Sequence, residues 1–205
     1  MARLPVRASL HHSRTPISLT TLLREFLDNP AGSARNVNDR CAGRRVTAMD
    51  VARVLGDLTP EPSPELLGAA RWLVRNGQNP GAVLIGLGLL RGRAEQGDVR
   101  MLETVGLLSC VDLLAAEVLT GIPDANPALI RLAERSGSWV RAFAVEALLD
   151  ETDPTVRLWV LSTPRNLMSS DLARKVCERY RLADLLDRPD VSDRAWDAPE
   201  ISCWQ

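Results

Sequence analysis

The side chains that most often carry chemistry are few in this 205-residue chain, and their placement does not favour catalysis. Its two histidines, His11 and His12, sit in an N-terminal stretch interrupted by Pro5, Arg7 and Pro16. A histidine dyad or triad needs an imidazole held beside a nucleophile in a folded pocket. The four cysteines, Cys41, Cys110, Cys177 and Cys203, are scattered with no C-x-x-C pair. Neither a zinc site nor a disulfide framework is indicated, and dispersed thiols fit a reducing cytosol. Of 25 basic residues only Lys175 is lysine, and no glycine run precedes it to cradle a phosphate. Asp150 and Asp153 read as helix-end groups rather than a paired acid and base. No metal and no cofactor are expected, and an enzyme is the less favoured reading.

What remains is binding chemistry carried by arginine and tryptophan. The dipeptide Val-Arg recurs at Val99-Arg100, Val140-Arg141 and Val156-Arg157. A forked guanidinium suits bidentate pairing with a carboxylate. The preferred reading is therefore a structural ladder in which Asp98, Glu146, Asp150 and Asp153 are available partners. The other reading lines Arg100, Arg141 and Arg157 along a binding surface. Trp72, Trp139 and Trp159 lie at or beside apolar helical positions and are expected in the core. A second reading makes Trp139 and Trp159 aromatic anchors with Arg131, Arg135 and Arg141 around them, an arrangement suited to a peptide or a splayed-out base.

These residues must be positioned by short helices. Proline follows a cap residue at Thr15-Pro16, Ser63-Pro64, Asn79-Pro80, Asn126-Pro127 and Asp153-Pro154. The cap side chain accepts from an orphan N–H of the first turn, and proline's missing N–H costs nothing there. Thr47-Ala-Met-Asp50 and Ser109-Cys-Val-Asp112 are short acidic capping boxes; Asp98, Ser138 and Ser170 are weaker caps. Apolar residues then follow at i, i+3, i+4 and i+7, as in Leu19, Leu22, Leu23 and Phe26, or Val51, Val54, Leu55 and Leu58. No period-2 stretch bounded by turn residues competes, so the fold class is all-α. Gly86-Leu-Gly88 falls inside an apolar helix and predicts close helix packing.

Helix starts near 63, 79, 98, 109, 126, 138, 153 and 170 fall into two alternating series, each advancing by roughly 30 residues, the spacing of stacked helical hairpins. The stretch from Pro127 to Leu149 resembles a HEAT repeat: a helix, a short turn, and a Val-Arg-led helix ending in Ala-Leu. Asp153-Pro-Thr-Val-Arg157 is similar to that family's D-x-x-V-R pattern. The resemblance covers roughly residues 63–185 and implies a right-handed α-solenoid, an α-α superhelix of about four HEAT-like hairpins, in a chain whose Arg, Ala and Leu usage suggests a GC-rich bacterial genome. It identifies an architecture, not an activity. Arg44 to Val51 also resembles the lead-in to the last helix of core histones. That fold needs a long helix just upstream, where Asn29 to Ser33 and Asn36 to Asp39 are expected to break one; a helix capped by Thr47 is preferred.

The expected organisation is a basic flexible tail at 1–14, N-terminal helices at 15–62, the repeat domain at 63–186, and an acidic tryptophan-containing tail at 187–205. The formal net charge of −1 divides into +3 for the first segment, −3 for the last and a near-neutral middle. Residues 1–14 also resemble a mitochondrial presequence, although a plain basic tail is preferred. Trp196, Ile201 and Trp204 give the acidic tail an apolar content that solvation alone does not require, so it is expected to dock on the last hairpin. The longest apolar run, Ala82 to Leu90, is far short of the ~18–20 residues a membrane span needs. Together these features favour a cytoplasmic interaction module that binds a protein or peptide in a helical groove. The alternative is a nucleic-acid-binding or DNA-repair protein resembling the HEAT-like alkylpurine DNA glycosylases, whose catalytic aspartate no residue here matches. A helical subunit completed only by a partner is a third possibility.

Overall fold

The computed structural model describes residues 18–182. The two predicted tails and the Thr15-Pro16 cap lie outside the described residues. Among these residues eleven α-helices and two 3-10 turns form, with no strand, and the protein is all-α there. The helices are α1 (Leu19–Asp28), α2 (Pro30–Cys41), α3 (Ala48–Leu58), α4 (Pro64–Asn76), α5 (Pro80–Leu90), α6 (Val99–Val105), α7 (Asp112–Thr120), α8 (Asn126–Arg135), α9 (Ser138–Ala147), α10 (Pro154–Ser162) and α11 (Ser170–Arg179). The 3-10 turns are Gln96–Asp98 and Arg165–Leu167. No helix among them is long and apolar enough to cross a membrane.

Local chemistry explains most boundaries. The Leu66 N–H donates to Ser63 Oγ at 3.1 Å, and the Ala82 N–H donates to Asn79 Oδ1 at 3.2 Å, each with proline opening the helix. Thr47 and Asp50 close a reciprocal capping box on α3. Four expected caps shift. Residues after α6 wind through turns, so α7 starts at Asp112 rather than after Ser109, its backbone held by the Val111 N–H donating to Leu108 O. Asn126 is the first residue of α8, not its cap, because the Ala125 carbonyl already accepts from Ala128 and Leu129. Ser138 is likewise the first residue of α9, preceded by Gly137. Ser169, not Ser170, caps α11, with the Leu172 N–H donating to its Oγ at 3.1 Å.

The stretch from Asn36 to Asp39 is helical, contrary to expectation, and the reason is tertiary. Val37 and Asn38 of α2 are buried. The Gln78 N–H donates to Asn38 Oδ1 at 2.9 Å and Asn79 Nδ2 donates to the Asn38 carbonyl at 2.8 Å. A buried asparagine with its acceptors satisfied stabilises the helix that presents it. The expected break occurs only at Asn29-Pro30, where α1 ends and α2 begins.

The helices pack in two series. Even-numbered neighbours touch (α2 on α4, α4 on α6, α6 on α8, α8 on α10), and so do odd-numbered ones (α1 on α3, α3 on α5, α5 on α7, α7 on α9). From α4 onward these are the two alternating series of helix starts seen in the sequence. The α4–α5 pair is the most extensive contact. Nearly all of α5 is buried, because it is covered from both sides. A Cβ on Gly86 would stand 2.7 Å from the Ala70 carbonyl oxygen and 2.8 Å from Val74 Cγ2, so only glycine lets α4 approach this closely. Gly88 faces α3, where an added Cβ would meet Val51 Cγ1 at 2.6 Å.

Candidate docking groove

Cation–carboxylate pairs link successive helices within each series. Arg71 of α4 grips Asp98, at the start of α6, with Nε–Oδ1 at 2.8 Å and Nη2–Oδ2 at 2.9 Å. Arg131 of α8 reaches back to Glu103 of α6 at 2.7 Å. Lys175 of α11 reaches Glu146 of α9 at 2.7 Å, and Arg179 reaches Asp150 at 2.8 Å. The first pair is the buried one: the Asp98 side chain is only 3% exposed. Burial alone would push its pKa up, but the Arg71 guanidinium and the Glu95 N–H outweigh that and hold its carboxyl below the ordinary carboxylate range. The bond to Glu146 raises the Lys175 ammonium above its usual value, so it stays charged.

A ladder therefore exists, but the Val-Arg arginines do not form its rungs. Arg141 donates to the Ala133 and Glu134 carbonyls at 3.4 and 3.3 Å, stitching α9 to the end of α8. Arg157 lies over the Tyr180 ring, 4.9 Å from its centroid. Burial raises the Tyr180 phenol, whose hydroxyl donates to the Leu149 carbonyl at 3.3 Å. Arg100 and Arg135 are exposed, with no ion-pair partner among the described residues. Of the expected acids, Asp98, Glu146 and Asp150 pair with other cations, and Asp153 caps α10, accepting from the Thr155 N–H at 2.7 Å.

The tryptophans divide. Trp72 and Trp159 are half-buried and pack on the core. Trp139, expected inside, is 83% exposed. The helical register explains this. The buried positions of α9 are Val140, Ala144 and Val145, while Trp139, Ala142, Phe143 and Glu146 form a second stripe at i, i+3, i+4 and i+7. That stripe forms one wall of a groove of about 560 Å³. Leu113 of α7 adds to its edge, Leu167 and Met168 come from the 3-10 turn and the residue after it, and Leu172 and Lys175 from α11. Leu113 is itself 41% exposed. The result is an open apolar trough edged by the Lys175–Glu146 pair, with an indole standing at its rim.

Of the seven residues singled out in the sequence, only Trp139 lines this groove. Arg100, Arg131, Arg135, Arg157 and Trp159 belong to the other series of helices, and Arg141 turns back onto α8. Of the groove's other walls, α7 and α11 were expected as helices, but the turn at Arg165–Leu167 had no sequence signal, because it follows no helical or strand period.

Two other depressions are chemically plainer. One of about 380 Å³ between α3 and α5 is lined largely by small side chains, and its arginines are engaged, Arg91 with Glu117 and Arg93 with the Pro60 carbonyl. Another, of about 590 Å³ between α2 and α4, is lined mostly by alanine and glycine. Among the described residues no three His, Cys, Asp or Glu side chains gather as a metal site. Cys41 is buried, which pushes its thiol up and away from the reactive thiolate.

No protein-family model matches the chain, and no curated protein and no solved structure matches it either. The geometry alone therefore defines its class: an all-α protein of two interlocked helix series with an open apolar groove.

Proposed function

We propose that the chain is a non-enzymatic interaction module, a short right-handed α-solenoid of HEAT-like hairpins that binds a protein or peptide partner in the groove between α9 and α11. The observation that carries this reading is Trp139. A folded chain rarely leaves an indole 83% exposed beside an apolar trough unless something covers it, and tryptophan is the residue most enriched among binding hot spots. The solenoid reading is supported by the two helix series and by cation–carboxylate pairs that join residues 27 to 29 apart, one repeat length, along them. The groove is open to solvent along its length, which suits an extended or helical segment better than an enclosed small molecule. Arg131 is neutralised by Glu103, so the arginines of α6, α8 and α10 present no unbroken track for a phosphate backbone.

Peptides displayed on phage and selected against the full chain test this. Enriched peptides are expected to share an apolar core and to lose at least tenfold in affinity against Trp139→Ala. Selection that enriches nothing, or peptides indifferent to Trp139→Ala, overturns the reading. A duplex oligonucleotide bound tightly, with affinity falling steeply between two salt concentrations, replaces it with the nucleic-acid alternative.

A further inference from the structure

We propose that the depression between α3 and α5 binds a small organic anion, a single carboxylate on an apolar body, with Arg93 holding the carboxylate. This site is separate from the groove at Trp139 and does not rest on the docking reading of that groove.

Three local features build the site. On α3, Ala48, Ala52 and Gly56 recur every fourth residue, so their small side chains share one face and form a wall. Val51 and Leu55 of α3, Gly88 of α5 and Leu114 of α7 supply an apolar floor. The hollow they leave is about 380 Å³, within the ~300–1,000 Å³ of small-molecule pockets. Just after α5, Gly92 takes a φ of +69° and reverses the chain. The Arg93 and Ala94 N–H groups both donate to the Leu90 carbonyl at 2.9 Å, and this turn sets Arg91 and Arg93 over the same hollow. Their charges are unequally met. Arg91 faces Glu117 of α7 at 3.5 Å, beyond the ~2.7–2.9 Å of a charge-assisted hydrogen bond. Arg93 is half-buried, and its Nη2 donates to the Pro60 carbonyl at 2.7 Å. It pairs with no carboxylate among the described residues, and none of those lining the hollow is an acid. Asp57 and Glu61, beside Gly56 and Pro60, are exposed and form no ion pair with either arginine. Setting Glu117 against Arg91 leaves Arg93 as the charge without a counterion.

Together these features set the ligand. A half-buried guanidinium anchored by one neutral carbonyl gains most from an anion that adds a charge-assisted bond. The apolar floor favours an anion with an alkyl or aryl body over inorganic phosphate, which gains nothing by covering it. Gly56 marks the open side: a Cβ added there meets nothing within 4 Å, so a larger side chain has room to fill the hollow.

The test titrates octanoate into the isotope-labelled full chain and follows backbone amide resonances. Octanoate is expected to bind at about 1 mM or tighter, moving the amides of α3 and of residues 91–93. Octanamide has the same shape without the charge, and inorganic phosphate has charge without the apolar body. Each is expected to bind at least tenfold more weakly. Gly56→Leu is expected to abolish octanoate binding without lowering the melting temperature. Arg93→Gln is expected to remove the preference for octanoate over octanamide, and Arg93→Lys to keep most of it. Trp139→Ala is expected to leave octanoate binding unchanged. Absence of octanoate binding, equal binding of octanamide or phosphate, or binding unmoved by Gly56→Leu each overturns the proposal. So does a response confined to α9 and α11, which assigns the octanoate to the Trp139 groove. If Arg93→Gln unfolds the chain, Gly56→Leu and the octanamide comparison decide.

Discussion

The guanidinium of Arg71 and the carboxylate of Asp98, 27 residues apart, meet in a two-pronged bond that ties α4 to the start of α6. Asp98 also accepts from the Glu95 N–H at 3.1 Å, so one carboxylate closes the 3-10 turn and docks the next helix onto the last. Each oxygen is used, which is the condition under which a buried ion pair is tolerated.

Removing one partner leaves the other charge stranded. Asp98→Ala is expected to cost about 3 kcal/mol of unfolding free energy, measured by urea denaturation. Arg71→Met/Asp98→Leu is expected to recover part of that loss, because it removes both charges. The pH dependence follows from the lowered carboxyl pKa. With the folded value below the unfolded one, about 3.9, the pair's contribution is complete above that pH and is lost as pH falls through the folded value. The wild type is therefore expected to lose stability more steeply than Asp98→Asn only in acid, and a parallel decline of the two chains would refute this account.

Two glycines in adjacent helices should respond in opposite directions. Gly86→Ala drives a Cβ into the Ala70 carbonyl and is expected to destabilise by about 1–3 kcal/mol, despite alanine's better helix propensity. Gly68, exposed in α4, has nothing within 4 Å of an added Cβ, so Gly68→Ala is expected to stabilise by up to about 1 kcal/mol. Thermal melts of the two variants decide, and shifts of the same sign would contradict the packing described.

Trp139→Ala is expected to leave stability within about 0.5 kcal/mol of wild type, since its side chain is 83% exposed. Groove-directed peptide binding is expected to fall by about thirtyfold, the scale of a hot-spot tryptophan. Trp159→Ala should behave in reverse, lowering the melting temperature through lost packing with little effect on binding. Paired melting and binding measurements separate the two.

Thr47→Ala removes the hydroxyl that accepts from the Asp50 N–H at 3.2 Å and donates to Asp50 Oδ2 at 2.7 Å. The loss is expected to be about 1 kcal/mol. It should be seen in the melting temperature and in faster amide exchange confined to the first turn of α3.

The all-α class, the approximate places of every described helix but α2, the caps at Thr47, Ser63, Asn79 and Asp153, and the alternating series of starts were legible in the sequence. These rest on local rules, in which a side chain accepts from an N–H two or three residues away or an apolar stripe recurs every turn. Tertiary structure decided everything that depends on which face meets which neighbour. Asn38 is helical because α2 delivers it to the turn between α4 and α5. Asp98, Glu146 and Asp150 pair with Arg71, Lys175 and Arg179 rather than with the Val-Arg arginines, because a side chain's direction follows from its helix's rotation against the core. The same rotation placed Val140 inside and left Trp139, one residue earlier and about 100° around the helix, standing over the groove.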